Sequence, residues 1–340
     1  MANNKNPLCI NEMQVHSIVQ ETDDVVTLNL IAQDFYPYQA GQYALVSIRN
    51  SEEVARAYTL SSTPGLSPFL SITVRRIENG VGSNWLTREV KVGDQIWLSD
   101  PMGDFSCEKV IADKYLLAGG GSGITPIISM TRHLLAHRPE VDLTVIYSIH
   151  SPKDMIFKEE WQAIKAQYPH LKLHINASVN ALDGFIAGRI STGMINHFVP
   201  DMAERTVMVC GPEGYIETLQ EAVQTLGGSA DRFFVEKFFL PELTETIDES
   251  KQVRLSIRNP QLQTYNVPVG MSLLNAMEAH KLPVVAACRS GVCGSCKTKV
   301  VSGSVEVVTN GPLTADEIAQ GYVLACSCKI RGDVEVAKSA

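Results

Sequence analysis

The chain has 340 residues, a formal net charge of −8, 45% hydrophobic and 19% charged residues. That length exceeds one ordinary core and implies two or three domains, while the composition excludes fibrous and disordered classes. No apolar run reaches the roughly 18 residues of a membrane span, and Met-Ala-Asn-Asn-Lys-Asn-Pro at the start lacks a secretory h-region; a cytoplasmic protein with no membrane span and no nucleic-acid partner is expected.

Residues 1–108 read as short strands with turn punctuation, at 25–31, 42–49, 69–76 and 95–99, which predicts an antiparallel β-barrel. Inside it stands Arg56-Ala-Tyr58-Thr59-Leu-Ser-Ser62. An Arg can fork onto a pyrophosphate, an aromatic ring can cover a flat heterocycle, and a hydroxyl can bond a ring nitrogen, so the run suits a flavin. It also suits an exposed strand face running into a turn. Val74-Arg-Arg76 and Gly80-Val-Gly82-Ser83 follow, and the small Gly82 and Ser83 would present backbone N–H groups to phosphate.

From residue 109 to 239 the pattern changes to strands (115–118, 143–148, 206–209) alternating with helical stretches (127–136, 159–167, 215–226), which predicts an α/β parallel sheet. Leu117-Ala-Gly-Gly-Gly121-Ser-Gly123-Ile-Thr125-Pro126 follows a strand and opens a helix, as a phosphate-cradling loop does. It is not the strict G-x-G-x-x-G fingerprint, and a plain strand-to-helix turn would need the same glycines. Cys210-Gly211-Pro212 closes a later strand, and Phe233-Phe-Val-Glu236-Lys-Phe238-Phe239 ends the segment; the phenylalanines would equally suit a core strand.

An acidic stretch at 240–252, opened by Pro241, reads as a linker to a C-terminal domain at 253–340. There the spacing Cys288-x4-Cys293-x2-Cys296-x29-Cys326 fits four thiolates around a plant-type [2Fe–2S] cluster. Structural zinc sites use paired short knuckles instead, whereas Cys326 stands alone in the apolar strand expected at 322–326. Gly291 and Gly294 let the chain wrap so that amide N–H groups point at sulfur. Cys328 is not expected to be a ligand. Residues 251–340 carry ten Lys or Arg against six Asp or Glu, a balance of +4 that leaves −12 for residues 1–250. Such asymmetry fits solvated faces or mutual attraction of the two parts.

The C-terminal segment resembles a plant-type ferredoxin of the α+β, β-grasp fold, with a hairpin at 253–258 and 263–267 and a helix at 272–280. Arg56-x-Tyr58-Thr59, Gly121-x-Gly123-x-Thr125-Pro126, Cys210-Gly211-Pro212 and Glu236-x-Phe238 resemble the motifs of the ferredoxin-NADP reductase superfamily. This resemblance implies FAD, held by Arg56, Tyr58, Thr59, Ser62, Val74, Arg76, Gly82 and Ser83. It implies NADH at Gly121, Gly123, Thr125, Cys210, Gly211 and Pro212. Thr59 would bond flavin N5, Tyr58 and Phe238 would cover the ring faces, and Cys210 and Glu236 would frame the nicotinamide, making Thr59, Cys210, Glu236 and Phe238 the catalytic set. The runs 36–43, 73–76, 188–189 and 284–293 resemble the NADH oxidoreductases that serve the hybrid-cluster protein, which implies that protein as the acceptor. The alternative is the reductase component of a Rieske-type or diiron oxygenase. The segment 148–154, without an Arg, favours NADH over NADPH, although His150 or Lys153 could meet a 2′-phosphate.

Overall fold

In the computed structural model the chain divides into two compact units, one of residues 1–51 and 58–238, the other of 52–57 with 239–340. The structure describes residues 5–337 except 53, 183, 239–246, 260, 290 and 292. Most of the expected linker, and Phe239, lie outside the described residues. Among the described residues no helix is long and apolar enough to cross a membrane.

The first sheet is built from β1 (Asn11–Thr22), β2 (Val25–Ala32), β3 (Tyr43–Ser47), β4 (Ala55–Thr59), β5 (Leu70–Arg75) and β6 (Gln95–Leu98), with helix α1 (Val81–Arg88) between the last two. The order is β4-β3-β6-β1-β2-β5. Just beyond β4, Leu60 bridges Ile72 of β5, so the two sheet edges meet and the antiparallel sheet closes into a barrel. The four expected strands are present. β1 and β4 are additional: the β1 sequence, NEMQVHSIVQET, is polar, and in its first half only Met13 and Val15 are buried.

Strands β7 (Lys114–Gly120), β8 (Asp142–Ile149), β9 (Lys172–Ala177), β10 (Ile186–Ala187), β11 (Thr206–Cys210) and β12 (Phe233–Glu236) alternate with helices α2 (Ile124–His137), α3 (Lys158–Gln167), α4 (Thr192–Phe198) and α5 (Glu213–Thr225). They form a parallel sheet ordered β10-β9-β8-β7-β11-β12. Its central strands are apolar on both faces because helices cover both. Tyr115 and Leu117 of β7 pack in one core with Ile127, Ile128 and Leu134 of α2 and Trp161 of α3. Leu116 and Ala118, the alternate residues, pack on the other side with Ile195 of α4 and Ile216 and Leu219 of α5. Phe105 and Cys107, which follow the barrel, join the first of these cores.

The second unit contains β13 (Asp248–Asn259), β14 (Gln261–Val269), α6 (Leu273–Ala279), β15 (Lys297–Val307), α7 (Ala315–Ala319), β16 (Tyr322–Leu324) and β17 (Cys328–Ala337), with sheet order β14-β13-β17-β15-β16. β13 and β17 are parallel and the other pairs antiparallel, as in a β-grasp domain. Because β13 begins at Asp248, the last residues of the expected linker belong to this sheet. Ser272 caps α6, its hydroxyl accepting from Asn275 N–H, and Leu273, Leu274 and Met277 lie in the core with Ile257 and Ile330. One expectation is corrected. Cys326 is not in a strand: β16 stops at Leu324, and Cys326 sits in a short 3₁₀ turn, Ala325–Ser327. The pairing of β15 with β16 ends at Lys297 and Leu324, and Ala325 N–H then turns back to the Cys296 carbonyl at 3.1 Å.

Candidate active site

In the first unit the C-terminal ends of three adjacent parallel strands meet. Cys210 of β11 is in register with Gly119 of β7 on one side and Glu236 of β12 on the other. This edge is where open α/β sheets bind ligands. After β7 the chain turns sharply. Gly121 has φ +54°, and a Cβ at Gly123 would lie 2.2 Å from the Cys210 carbonyl oxygen, so the loop and the end of β11 touch through glycine alone. Thr125 closes the turn, its hydroxyl donating to Ser122 O at 3.0 Å. Gly121 and Pro212 open onto a cleft of about 450 Å³ lined also by Arg75, Ser148, His150, Asp154, Arg189 and Tyr215. Lys153 is not among its lining residues.

Glu236 is held at this edge in surroundings that disfavour charge. Burial, with the charge of Asp104 added, pushes its carboxyl up to about 7. Gly103 of the barrel segment comes close enough that a Cβ there would be 3.9 Å from Glu236 Oε2. Cys210 is fully buried, and its thiol is raised well above the ordinary value, first by burial and then by Glu236. Phe238 is partly buried against the sheet core.

The barrel residues divide by what already engages them. Thr59, in β4, is 4% exposed, and its hydroxyl has no hydrogen-bond partner among the described residues. A hydroxyl that the protein itself does not engage suits a ring nitrogen supplied by a cofactor. Ser62 is different: its hydroxyl lies 2.6 Å from Tyr38 Oη and accepts from Ser71 N–H at 2.9 Å. Arg56 Nη1 donates to the Ala55 carbonyl at 2.8 Å. Val74 is buried and pairs with Val26. Gly82 and Ser83 fall in the first turn of α1, where N–H groups lack intrahelical acceptors and can serve a pyrophosphate. Ser83 Oγ accepts from Ile77 N–H at 3.1 Å and so shapes that turn. Arg76 donates to the Asp23 carbonyl at 3.1 Å. Its neighbour Arg75, not among the expected site residues, faces the cleft beside Gly121 and lies 3.0 Å from where a Gly121 Cβ would be. Strand alternation sends the two guanidinium groups apart, and sequence alone does not say which one faces the cleft.

In the second unit, among the described residues no three His, Cys, Asp or Glu side chains converge as on a single metal ion. The thiols fall into two pairs. Cys296 Sγ lies 3.2 Å from Cys326 Sγ, and Cys293 is hydrogen-bonded to Cys288. Two thiols for each of two irons is the donor set of a [2Fe–2S] cluster, so the residues fit it. Gly291 N–H donates to Cys326 Sγ at 3.2 Å, an amide aimed at sulfur as expected. The Cys326 thiol is lowered because Cys296 donates to it, and Cys296 is raised correspondingly. Cys328 is buried in the domain core.

Three family models match along the chain: an oxidoreductase FAD-binding domain over residues 12–107, an oxidoreductase NAD-binding domain over 117–221 and a 2Fe-2S iron-sulfur cluster binding domain over 257–331. NADH oxidoreductase HCR of Escherichia coli is 52% identical over 329 residues, covering 97% of this chain and 98% of that one. The chain belongs to the NADH oxidoreductase HCR family. The glycine betaine monooxygenase reductase subunit of Chromohalobacter salexigens is 30% identical, covering 94% of this chain and 93% of its own. The solved structure of phthalate dioxygenase reductase covers 97% of each chain with a TM-score of 0.68 at 21% identity, a likeness of fold. The protein is thus an oxidoreductase that passes electrons, with FAD, a nicotinamide dinucleotide and a [2Fe–2S] cluster as its cofactors.

Proposed function

We propose that this reductase takes electrons from NADH and delivers them, one at a time, to the hybrid-cluster protein. The flavin, when bound, accepts a hydride and parts with single electrons, and the cluster carries one electron at a time. Everything else is alignment by the chain. Thr59 offers its unpartnered hydroxyl to flavin N5, Tyr58 and Phe238 cover the ring, and Arg56 with the first turn of α1 at Gly82 and Ser83 holds the pyrophosphate. Gly121, Gly123 and Thr125 shape the loop that takes the dinucleotide phosphates, with Arg75 beside it. Cys210, Gly211, Pro212 and Glu236 frame the nicotinamide. Hydride transfer asks for no general base, so the work lies in position and electrostatics. Cys288, Cys293, Cys296 and Cys326 hold the cluster.

NADH over NADPH is the reading that Asp154 supports, a carboxylate on the wall of a cleft that Arg75, His150 and Arg189 also line. It is fixed there by accepting from Ser151 N–H at 3.0 Å, and a 2′-phosphate brought near it would meet a like charge. The observation that carries the acceptor is the likeness itself, 52% to NADH oxidoreductase HCR against 30% to an oxygenase reductase subunit. The second reading, an oxygenase reductase, rests on that 30% relative and the shared fold. Steady-state NADH oxidation with purified acceptors decides: turnover with the hybrid-cluster protein that exceeds turnover with oxygenase components supports the proposal, and the reverse order replaces it.

A further inference from the structure

Helix α2 does two things at once. Its first residue follows the Gly121–Gly123 loop directly, and its middle is bonded to the barrel. Ser129 Oγ donates to the Ser62 carbonyl at 2.5 Å, and the Ser129 carbonyl accepts from Thr63 Oγ1 at 3.1 Å. One turn further, Arg132 Nη1 donates to the Ser61 carbonyl at 2.6 Å. Three consecutive barrel residues, Ser61, Ser62 and Thr63, are thereby bonded to one face of one helix, and they directly follow Tyr58-Thr59-Leu60. Arg132 itself is fixed: its Nε and Nη2 make a fork onto Glu160 of α3 at 2.5 and 2.6 Å, and its side chain is only 18% exposed. Neither Ser129 nor Arg132 touches the cleft or belongs to a motif that marks the cofactor sites.

We infer that α2 is a strut between the two cofactor sites, and that Arg132 is a positioning residue for hydride transfer, holding the exit of the flavin strand against the helix that carries the dinucleotide loop. The inference rests on the proposed reading of Thr59 as a flavin contact and of Gly121–Gly123 as the dinucleotide loop. Residues 124 and 132 are about 12 Å apart along a helix axis, so a rigid α2 converts the place of the loop into the place of Thr59. Transfer is sensitive to such a distance: a misplacement of about 1 Å remote from the chemistry costs on the order of a hundredfold in rate.

The test is Arg132→Met, which keeps an unbranched apolar stem and removes all three donor nitrogens, compared with Arg132→Lys, which retains one. Each holoprotein is mixed anaerobically with NADH in a stopped-flow instrument. FAD content, NADH Kd, the hydride-transfer rate constant at saturation and the long-wavelength charge-transfer band are recorded. Expected for Arg132→Met is FAD content and NADH Kd near the parent's, a rate constant lower by about tenfold or more and a weakened charge-transfer band, with partial recovery in Arg132→Lys. A lower Tm with an unchanged rate constant and band makes Arg132 merely structural and overturns the inference. If Arg132→Met does not retain FAD, Ser129→Ala, which removes the donor to Ser62 O and adds no volume, carries the same readouts with the same two outcomes. Thr59→Ala separates this failure from that of the site reading. Slow transfer in Thr59→Ala with normal transfer in Arg132→Met overturns the strut alone, and normal transfer in both overturns the site reading with it.

Discussion

Cys210 and Glu236 face each other in register at the ends of the parallel strands β11 and β12. Neither carries a full charge comfortably: burial raises the thiol, and burial with Asp104 raises the carboxyl. A nicotinamide brought to this edge meets a neutral thiol and a carboxyl that titrates close to neutral pH.

The raised Glu236 makes stability fall with pH. In the unfolded chain the group ionises at its ordinary 4.5, and in the folded chain at about 7, so between these values the folded state binds the extra proton. Its contribution is full below 4.5 and is lost as pH rises through 7. The Tm difference between the parent and Glu236→Gln should therefore change across pH 4.5 to 7 and level off above. A flat difference would show that Glu236 titrates normally.

Gly123→Ala should damage dinucleotide binding, since its Cβ would sit 2.2 Å from the Cys210 carbonyl oxygen. Relieving that overlap by a backbone shift costs about 1–3 kcal/mol. NADH titration should show a Kd raised by about tenfold, equivalent to about 1.4 kcal/mol, with FAD content unchanged.

Cys326→Ser should lose most of the visible absorption and iron of the cluster, while Cys328→Ser keeps both. Cys328 belongs to the core, and a hydroxyl buried there costs about 1–3 kcal/mol of stability. Iron analysis and Tm together distinguish a ligand from a packing residue.

Arg205→Met should destabilise the parallel-sheet domain. The Arg205 side chain is 1% exposed and bonds Asp201 at 2.7 Å, Asp142 at 3.0 Å and the Tyr115 carbonyl at 2.9 Å. Removing one partner of a buried ion pair costs about 3–5 kcal/mol; because both carboxylates are partly exposed, a loss of about 3 kcal/mol is expected by denaturant unfolding. Arg205 holds Asp201 below its ordinary value of 3.8. That stabilisation is present at neutral pH and disappears as pH falls below 3.8, so parent and variant should converge in acid.

Legibility in the sequence followed the strength of local signals. Strands β2, β5, β7, β8 and β11 are dense in β-branched and apolar residues, and helices α2 and α5 carry clear apolar periodicity. β15 (KTKVVSGSVEV) is exposed over most of its length and interrupted by Gly303, so it offers no alternation to read. α1 was hidden for another reason: Gly80-Val-Gly-Ser looks like loop, and the helix depends on Asn84 N–H closing onto the Gly80 carbonyl at 3.0 Å. The cysteine spacing pointed to the cluster loop because ligation imposes residue identity. Arg75 against Arg76, and the strut through Arg132, were not readable, since which of two adjacent arginines faces a cleft and which helix meets which carbonyl are tertiary facts.

In the proposed reading electrons pass from NADH to the flavin and then to the cluster of one chain. Anaerobic mixing with NADH, followed optically and by EPR on freeze-quenched samples, tests it most directly. Bleaching of the flavin absorption is expected first and a reduced [2Fe–2S] EPR signal second. An unchanged flavin spectrum, or a bleached flavin beside a cluster that stays EPR-silent, would contradict it.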